Sequence, residues 1–421
     1  MTEPGTLSRT EALRALEALR NGVPNRDAVR ALGCMQPAAL DAFQDRLALL
    51  EGAAEPPPLA EGMLLAGGFG TGKSHTLAHF EQLALARNFI VSRVVISKET
   101  PLHDPAKLFL AAVREARLPN ARGVMLHELA ARIDYRSPAA AAFVEWAKHG
   151  QPYGLLAATV EIHARVGDAE LLERIVDFWS GEKLPVAEVR AGLRSFELEK
   201  AYEVKAVKVA DLAPVRFEFG ARLARATGFA GWIVLLDEIE LIARYSLLQR
   251  ARSYAALARW LGAVPGQGVR GTAFVGAITD DFALDVLEQR RDREKIQTRL
   301  AERGDSKTFA IATLAAAGMD QIQKKAIPLH PPNDDTLQAS YRRLQRLYGT
   351  AYSGTPARPF EPERGAHRPM RSYIRRWIGN WDIERLAPNF RPETEEESLP
   401  SSYQEDADLS ADDDLSHDDL R

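Results

Sequence analysis

The sequence predicts an α/β protein in which a parallel sheet flanked by helices is organised round a phosphate-binding loop. Three observations carry that expectation. The apolar run "GMLLAG" leads into the glycine-rich string "GGFGTGKSHT", residues 67–76, and from there into the helical pattern "KSHTLAHFEQLALARN". A second apolar run, "IVLLDEIE", ends in the adjacent acids Asp237 and Glu238, and a third, "TAFVGAIT", ends in Thr279. Short β-branched runs alternating with amphipathic helical stretches are the signature of βαβ units and a parallel sheet.

The elements follow in order. "RTEALRALEAL" has apolar residues at helical spacing, "NGVPNRD" breaks it, "RDAVRALG" begins a second helix, and "PAALDAFQDRLALLEGA" reads as a third before the proline-rich linker "EPPPLAEG". After the loop and its helix, "FIVSRVVIS" is a second strand. Amphipathic runs such as "PAAAAFVEWAKHG" and "DAELLERIVDFW" then fill a helical insertion over about residues 105–220. The chain re-enters the sheet at "GWIVLLDE", passes through the helix "LLQRARSYAALARWLGAV", returns at "RGTAFVGAIT" and closes the core at "KAIPLHPP". "DDTLQASYRRLQRLYGTAY" and "RPMRSYIRRWIGNWDIERL" read as a helical lid. The expected divisions are N-terminal helices over 1–60, a core over 61–330 with its insertion, a lid over 331–392 and an acidic tail over 393–421. No period of a solenoid repeats.

Composition narrows the function classes. Cys34 is the only cysteine, which excludes an intramolecular disulfide and a thiolate-rich metal site, and the nine histidines form no HExxH pattern. His75 and His79 stand at helical spacing without a carboxylate pair. No apolar run reaches the length of a bilayer span, and "MTEPGTLSRTEALRAL" lacks the basic-then-apolar order of a secretory signal, so a cytoplasmic protein without a membrane partner is expected. From Glu393 onward the chain holds twelve Asp or Glu and one Arg; with a net charge of −4 overall, residues 1–392 are net positive by seven. Such a tail stays solvated. It serves solubility, or it competes with nucleic acid for a basic surface on the body.

The loop matches GxxxxGK[ST]. Gly67, Gly68, Phe69, Gly70, Thr71 and Gly72 curl the backbone so that its N–H groups face phosphates, and Lys73, Ser74 and His75 open the following helix at its positive end. Lys73 is expected on the β- and γ-phosphates and Ser74 on Mg²⁺, with ATP as the nucleotide. Asp237 is the second expected Mg²⁺ ligand, through water, and Glu238 the carboxylate that orients attacking water. Two acids at a helix start are also common on their own, and it is the pairing with the loop that gives them meaning. Thr279 is expected to sense the γ-phosphate if its strand lies beside both the loop and the Asp237 strand. Ser97, ending "VSRVVIS", is expected to hold Glu238 inactive until a partner binds.

The order of these motifs resembles an AAA+ ATPase of the origin-recognition branch. The longer strings "LRNGVPNRDAVRALG", "FGTGKSH", "VSRVVISKETPLHDPAKLF", "LLDEIELIARYSLLQRARSYAALARWLG" and "RSYIRRWIGNWD" resemble the BrxD ATP-binding proteins of BREX bacteriophage-exclusion systems, over residues 10–392. The resemblance implies an AAA+ core, ATP and Mg²⁺ as cofactors, and defence-system partners, with DNA contacted directly or through them. It makes Arg371 the lid arginine that approaches the γ-phosphate, against the alternative of a solvated basic helix face with Arg368, Arg375 and Arg376. An arginine finger serving a neighbouring copy is expected at Arg259 or Arg270, which implies a homo-oligomer. Val23 and Pro24 become the expected adenine contact. The insertion between Lys73 and Asp237 is long for a compact AAA+ core, and the stretch after the core leaves no room for an appended winged helix. Three functions stay open: an ATP-hydrolysing switch in phage defence, a nucleotide-holding scaffold, and a transposition or helicase-loading ATPase.

Overall fold

The computed structural model describes residues 7–52, 62–120, 123–149, 153–266, 268–302, 306–354, 356, 359–360, 368–387, 403 and 406. The expected linker lies outside the described residues except for Gly62, and the acidic tail except for Tyr403 and Asp406. Six strands form one sheet: β1 (Met63–Ala66), β2 (Phe89–Val95), β3 (Ala116–Arg117), β4 (Gly231–Asp237), β5 (Thr272–Ile278) and β6 (Ile327–Pro328), in the order β3-β2-β4-β5-β1-β6. Every pairing is parallel except β3 on β2, where Ser92 lies opposite Ala116. The expectation of a parallel sheet is corrected to a mixed one. Two residues that turn back along an edge strand carry no periodicity for a sequence to display.

The strands are apolar on both faces because helices cover both. With a period of two, Ile90, Val94, Trp232, Val234, Leu236 and Phe274 point one way, into a core shared with the helical insertion. Phe89, Val91, Ile233, Leu235, Val275 and Ala277 point the other way. There they meet the helices Pro37–Gly52 and Lys73–Ala86, whose Phe43 and Phe80 rings stack at 4.2 Å. The insertion is fastened to the sheet at a polar point as well. Trp232 Nε1 donates to Ser92 Oγ at 2.8 Å, and Ser92 Oγ donates to Ala112 O at 2.5 Å.

A second core joins the two ends of the chain. The helices Arg9–Asn21 and Arg26–Leu32 pack with Asp334–Tyr352 and Met370–Leu386 round Leu16, Leu19, Tyr341, Leu344, Trp377 and Trp381. Arg20 clamps Asp382 through Nε and Nη2, each at 2.8 Å, and Tyr348 donates to the same carboxylate at 2.9 Å. The N-terminal helices and the lid thus form one helical unit set against the sheet. No helix among the described residues is long and apolar enough to cross a membrane.

A buried ion pair fixes the chain after β4. The turn Ile239–Arg244 leads into the helix Leu247–Trp260, whose Arg250 donates to both oxygens of Asp292 at 2.7 and 2.9 Å. Tyr254 adds a third bond to Asp292 at 2.8 Å, and Arg250 and Asp292 are 1% and 0% exposed. Removing one member of such a pair strands the other charge in the core. Asp292→Ala is therefore expected to cost about 3–5 kcal/mol in urea unfolding. A loss below about 1 kcal/mol would show that the pair does not hold this turn.

Candidate functional site

The glycine loop runs from β1 into the helix Lys73–Ala86. Gly70 and Gly72 have φ of +79° and +105°, which side chains rarely adopt, and a Cβ on Gly70 would lie 3.0 Å from Pro369 Cβ. Thr71 Oγ1 closes the loop by donating to Gly68 O at 2.9 Å. Gly67 N donates to Ile278 O at 3.1 Å, tying the loop to the end of β5. The arrangement fits an anion: a curled backbone, a helix N-terminus and one buried ammonium converge on one cleft. The cleft encloses about 720 Å³, part of it open to solvent, and Lys73, Ser74, His75, Glu238 and Glu240 stand in its wall.

Lys73 is almost fully buried and its charge is shared by three oxygens. Nζ donates to Gly67 O at 2.8 Å and Gly68 O at 3.4 Å, and it lies 3.7 Å from Glu240 Oε1. Glu240 was not singled out from the sequence. It is 8% exposed, and its Oε2 has no hydrogen-bond partner. Burial raises its pKa to about 7; Lys73 opposes the rise, and Glu238 and Asp237 reinforce it. The signal in the sequence was a third acid in "LLDEIE", three places after Asp237.

Asp237 ends β4, 3% exposed. Its Oδ2 accepts from Arg93 Nη2 at 2.9 Å and its Oδ1 from Glu238 N at 3.1 Å. Period-two geometry explains the arginine, because Arg93 lies on the face of β2 that carries Phe89 and Val91, and Asp237 on the same face of β4. A cation inside the apolar run "FIVSRVVIS" was the available signal. Arg93, not Ser97, is the side chain of β2 that reaches the acids. Ser97 Oγ is hydrogen-bonded to Glu99 Oε2 at 2.9 Å and to Thr100 Oγ1 at 3.0 Å, which corrects the expectation that it holds Glu238. The turn beyond the strand has carried Ser97 away. Glu238 sits in the left-handed region at φ 60°, ψ 37°, a strained setting for a glutamate, and it lines the cleft. A serine hydroxyl and an aspartate carboxylate are hard oxygen donors that suit Mg²⁺, so Ser74 and Asp237 fit that ion in kind.

The far wall of the cleft comes from the helical unit: Leu19, Pro24, Met35, Met370, Arg371 and Ile374. Pro24 belongs to that wall. Val23 does not: the helix Arg9–Asn21 ends at Gly22 in the left-handed region, Val23 N turns back to Ala18 O, and its side chain is 67% exposed outside that wall. The apolar residues Leu19, Met35, Met370 and Ile374 were missed, since each reads as ordinary core. Arg371 spans the cleft mouth. Its guanidinium lies 4.9 Å from the Phe69 ring, and its Cδ is 3.2 Å from a Cβ built on Gly22. His75 Nε2 donates to Gly33 O at 2.8 Å, and burial lowers its pKa to about 4, so it stays neutral and fastens the loop helix to the N-terminal helices.

Thr279 follows Ile278 and is 6% exposed; its hydroxyl lies 2.7 Å from the Tyr403 hydroxyl. Arg270 precedes β5 and Arg259 ends the helix Leu247–Trp260. That helix end packs beside Gly62, where a Cβ would meet Trp260 O at 2.5 Å, so both arginines lie at the edge of the sheet opposite the loop of their own chain.

These features define an α/β protein whose glycine loop, helix N-terminus and buried lysine line one cleft of a kind that suits an anion. The chain belongs to the BREX system ATP-binding protein BrxC/D family, whose model matches residues 9–119 and 215–364. The match takes in the loop, Arg93, Asp237, Glu238, Glu240 and Thr279; it omits most of the helical insertion and stops before Arg371. No curated protein and no solved structure matches the chain.

The raised pKa of Glu240 has a measurable consequence. Between its ordinary value of 4.5 and about 7 the folded protein holds a proton that the unfolded chain has lost, so this group makes stability fall as pH rises through that window. Glu240→Gln leaves Lys73 its two carbonyls and removes the dependence. The variant is expected to match the wild type near pH 4.5 and to exceed it by about 1–3 kcal/mol at pH 8. A difference between the two in urea unfolding that is the same at both pH values would contradict the burial of this charge.

Proposed function

We propose that the protein is a Mg²⁺-dependent ATPase of the AAA+ type in a bacteriophage-exclusion system. Nucleotide state sets how its helical unit sits on its core, and partner proteins acting on DNA read that change. One observation carries the reading: Lys73, Ser74 and Glu238 share a cleft whose opposite wall belongs to the helices from both chain ends. A nucleotide seated there touches both bodies.

Lys73 exchanges the Gly67 and Gly68 carbonyls for the β- and γ-phosphates, and the apolar wall with Pro24 receives the base. Arg371, stacked over Phe69 in the cleft wall, is the arginine of the helical unit placed to approach the γ-phosphate. Ser74 and Asp237 would hold Mg²⁺, which would neutralise charge on the phosphate oxygens. Glu238 accepts a proton as water attacks the γ-phosphorus in line with the departing ADP oxygen, giving ADP and phosphate. The ion pair of Asp237 with Arg93 competes with Mg²⁺ for the same carboxylate, which gives a partner a way to license turnover. The same ion pair favours a second reading, a nucleotide-dependent scaffold that never hydrolyses.

Lys73→Ala is expected to abolish ATP binding in titration calorimetry with the fold intact. Asp237→Asn is expected to weaken only the Mg²⁺-dependent part. Glu238→Gln is expected to keep ATP affinity and lose turnover by at least about 100-fold, since the amide cannot take the proton. Wild-type protein that shows no turnover even with its defence partners and DNA, and that Glu238→Gln does not alter, is the scaffold.

A further inference from the structure

The acidic tail has an address on the core. Tyr403 lies at the exit of β5, its ring edge-on to Phe282 with centroids 6.0 Å apart. Its hydroxyl donates to Asp281 Oδ1 at 2.5 Å and lies 2.7 Å from Thr279 Oγ1. Arg290 Nη1 donates to Tyr403 O at 2.9 Å and to Ala243 O at 2.7 Å, and Asp406 N donates to Arg244 O at 3.1 Å. Main-chain and side-chain bonds thus hold Tyr403 and Asp406 against two neighbouring loops. Phe282 and Thr279 are buried there, 0% and 6% exposed.

The proton count at this contact is restrictive. A carboxylate only accepts, so the single phenolic proton goes to Asp281, and Thr279 must donate its own proton to the Tyr403 oxygen. That proton is then not available to a phosphate oxygen. Thr279 directly follows Ile278, whose carbonyl accepts from Gly67 N of the glycine loop, so the hydroxyl withheld belongs to the residue that continues β5 beside the loop.

We propose that Thr279, Asp281, Phe282 and Arg290 form a docking groove for the chain's own acidic C-terminal segment, and that Tyr403 in this groove and a γ-phosphate compete for the Thr279 hydroxyl. The competition rests on the reading of Thr279 as the γ-phosphate sensor. The groove itself does not. ATP releases Tyr403 from the groove and ADP leaves it docked. A docked tail lowers apparent ATP affinity by the fraction of molecules it occupies.

The test uses the full chain and Tyr403→Phe, which keeps the ring and removes the hydroxyl. Chymotrypsin cleaves after either residue, so release of the peptide that follows position 403, read by mass spectrometry, reports docking in both proteins. Cleavage is expected to be slow in wild type with ADP and fast with a non-hydrolysable ATP analogue, and fast in Tyr403→Phe with either. Affinity for the analogue is expected to rise about tenfold in Tyr403→Phe while ADP affinity stays unchanged. Equal cleavage of the two proteins with ADP overturns the groove. Slow cleavage of wild type with both nucleotides, or a variant whose two affinities shift together, overturns the competition. None of these readings requires hydrolysis, so a protein that binds ATP without turnover fails the proposed function and still decides this one.

Discussion

The register of β5 between β1 and β4 is the constraint on which the site depends. Met63 to Ala66 pair with Val275 to Ile278 on one side, and Trp232 to Leu236 pair with Thr272 to Gly276 on the other. Because all three run parallel, the glycine loop, Asp237 and Thr279 leave the sheet at the same edge. A slip of one residue would turn Val275 and Ala277 to the opposite face and bury the wrong side chains in both cores. The register also positions the acids. Gly276 has no side chain, so Ile239 packs onto it, where a Cβ would come within 2.5 Å of Ile239 Cδ1. That contact seats the turn carrying Glu238 and Glu240.

On this scaffold the buried Lys73 ammonium, the Asp237 carboxylate and the Thr279 hydroxyl each have a partner within the chain. Lys73 has two carbonyls and Glu240, Asp237 has Arg93, and Thr279 has Tyr403. Buried charges demand such partners. On the proposed function, the same partners make nucleotide binding an exchange rather than a simple addition, because Lys73, Asp237 and Thr279 would each trade one for a phosphate or a metal ion. Every exchange links the cleft to another part of the molecule: Arg93 to the second strand, Tyr403 to the tail, and Arg371 to the helical unit.

The loop and the acid pair were legible in the sequence because their chemistry is local, a handful of consecutive residues whose spacing defines the geometry. Asp292, which pins the chain beyond the acids, gave no such signal, since its meaning depends on Arg250 approaching through the core. Arg93 and Glu240 sat inside strings that were read for their apolar residues, and their roles appear only once the sheet is paired. The walls of the cleft were illegible for another reason. Leu19 and Met370 come from opposite ends of the chain, and no pattern in either helix announces that they face each other. The expectation for Ser97 failed because a strand end was assumed to point at the site, whereas the chain had already turned at Thr100. The two helices Asp292–Ala301 and Ser306–Asp320, between β5 and β6, went unread.

In the proposed mode of binding, a nucleotide in the cleft bridges the core and the helical unit. Amide hydrogen exchange with and without a non-hydrolysable ATP analogue and Mg²⁺ tests it directly. The predicted result is slowed exchange in three separate stretches: the glycine loop Gly67–Ser74, the turn after Leu19, and the first turn of the helix Met370–Leu386. Slowed exchange confined to the glycine loop, with the helices from both chain ends unchanged, would contradict it.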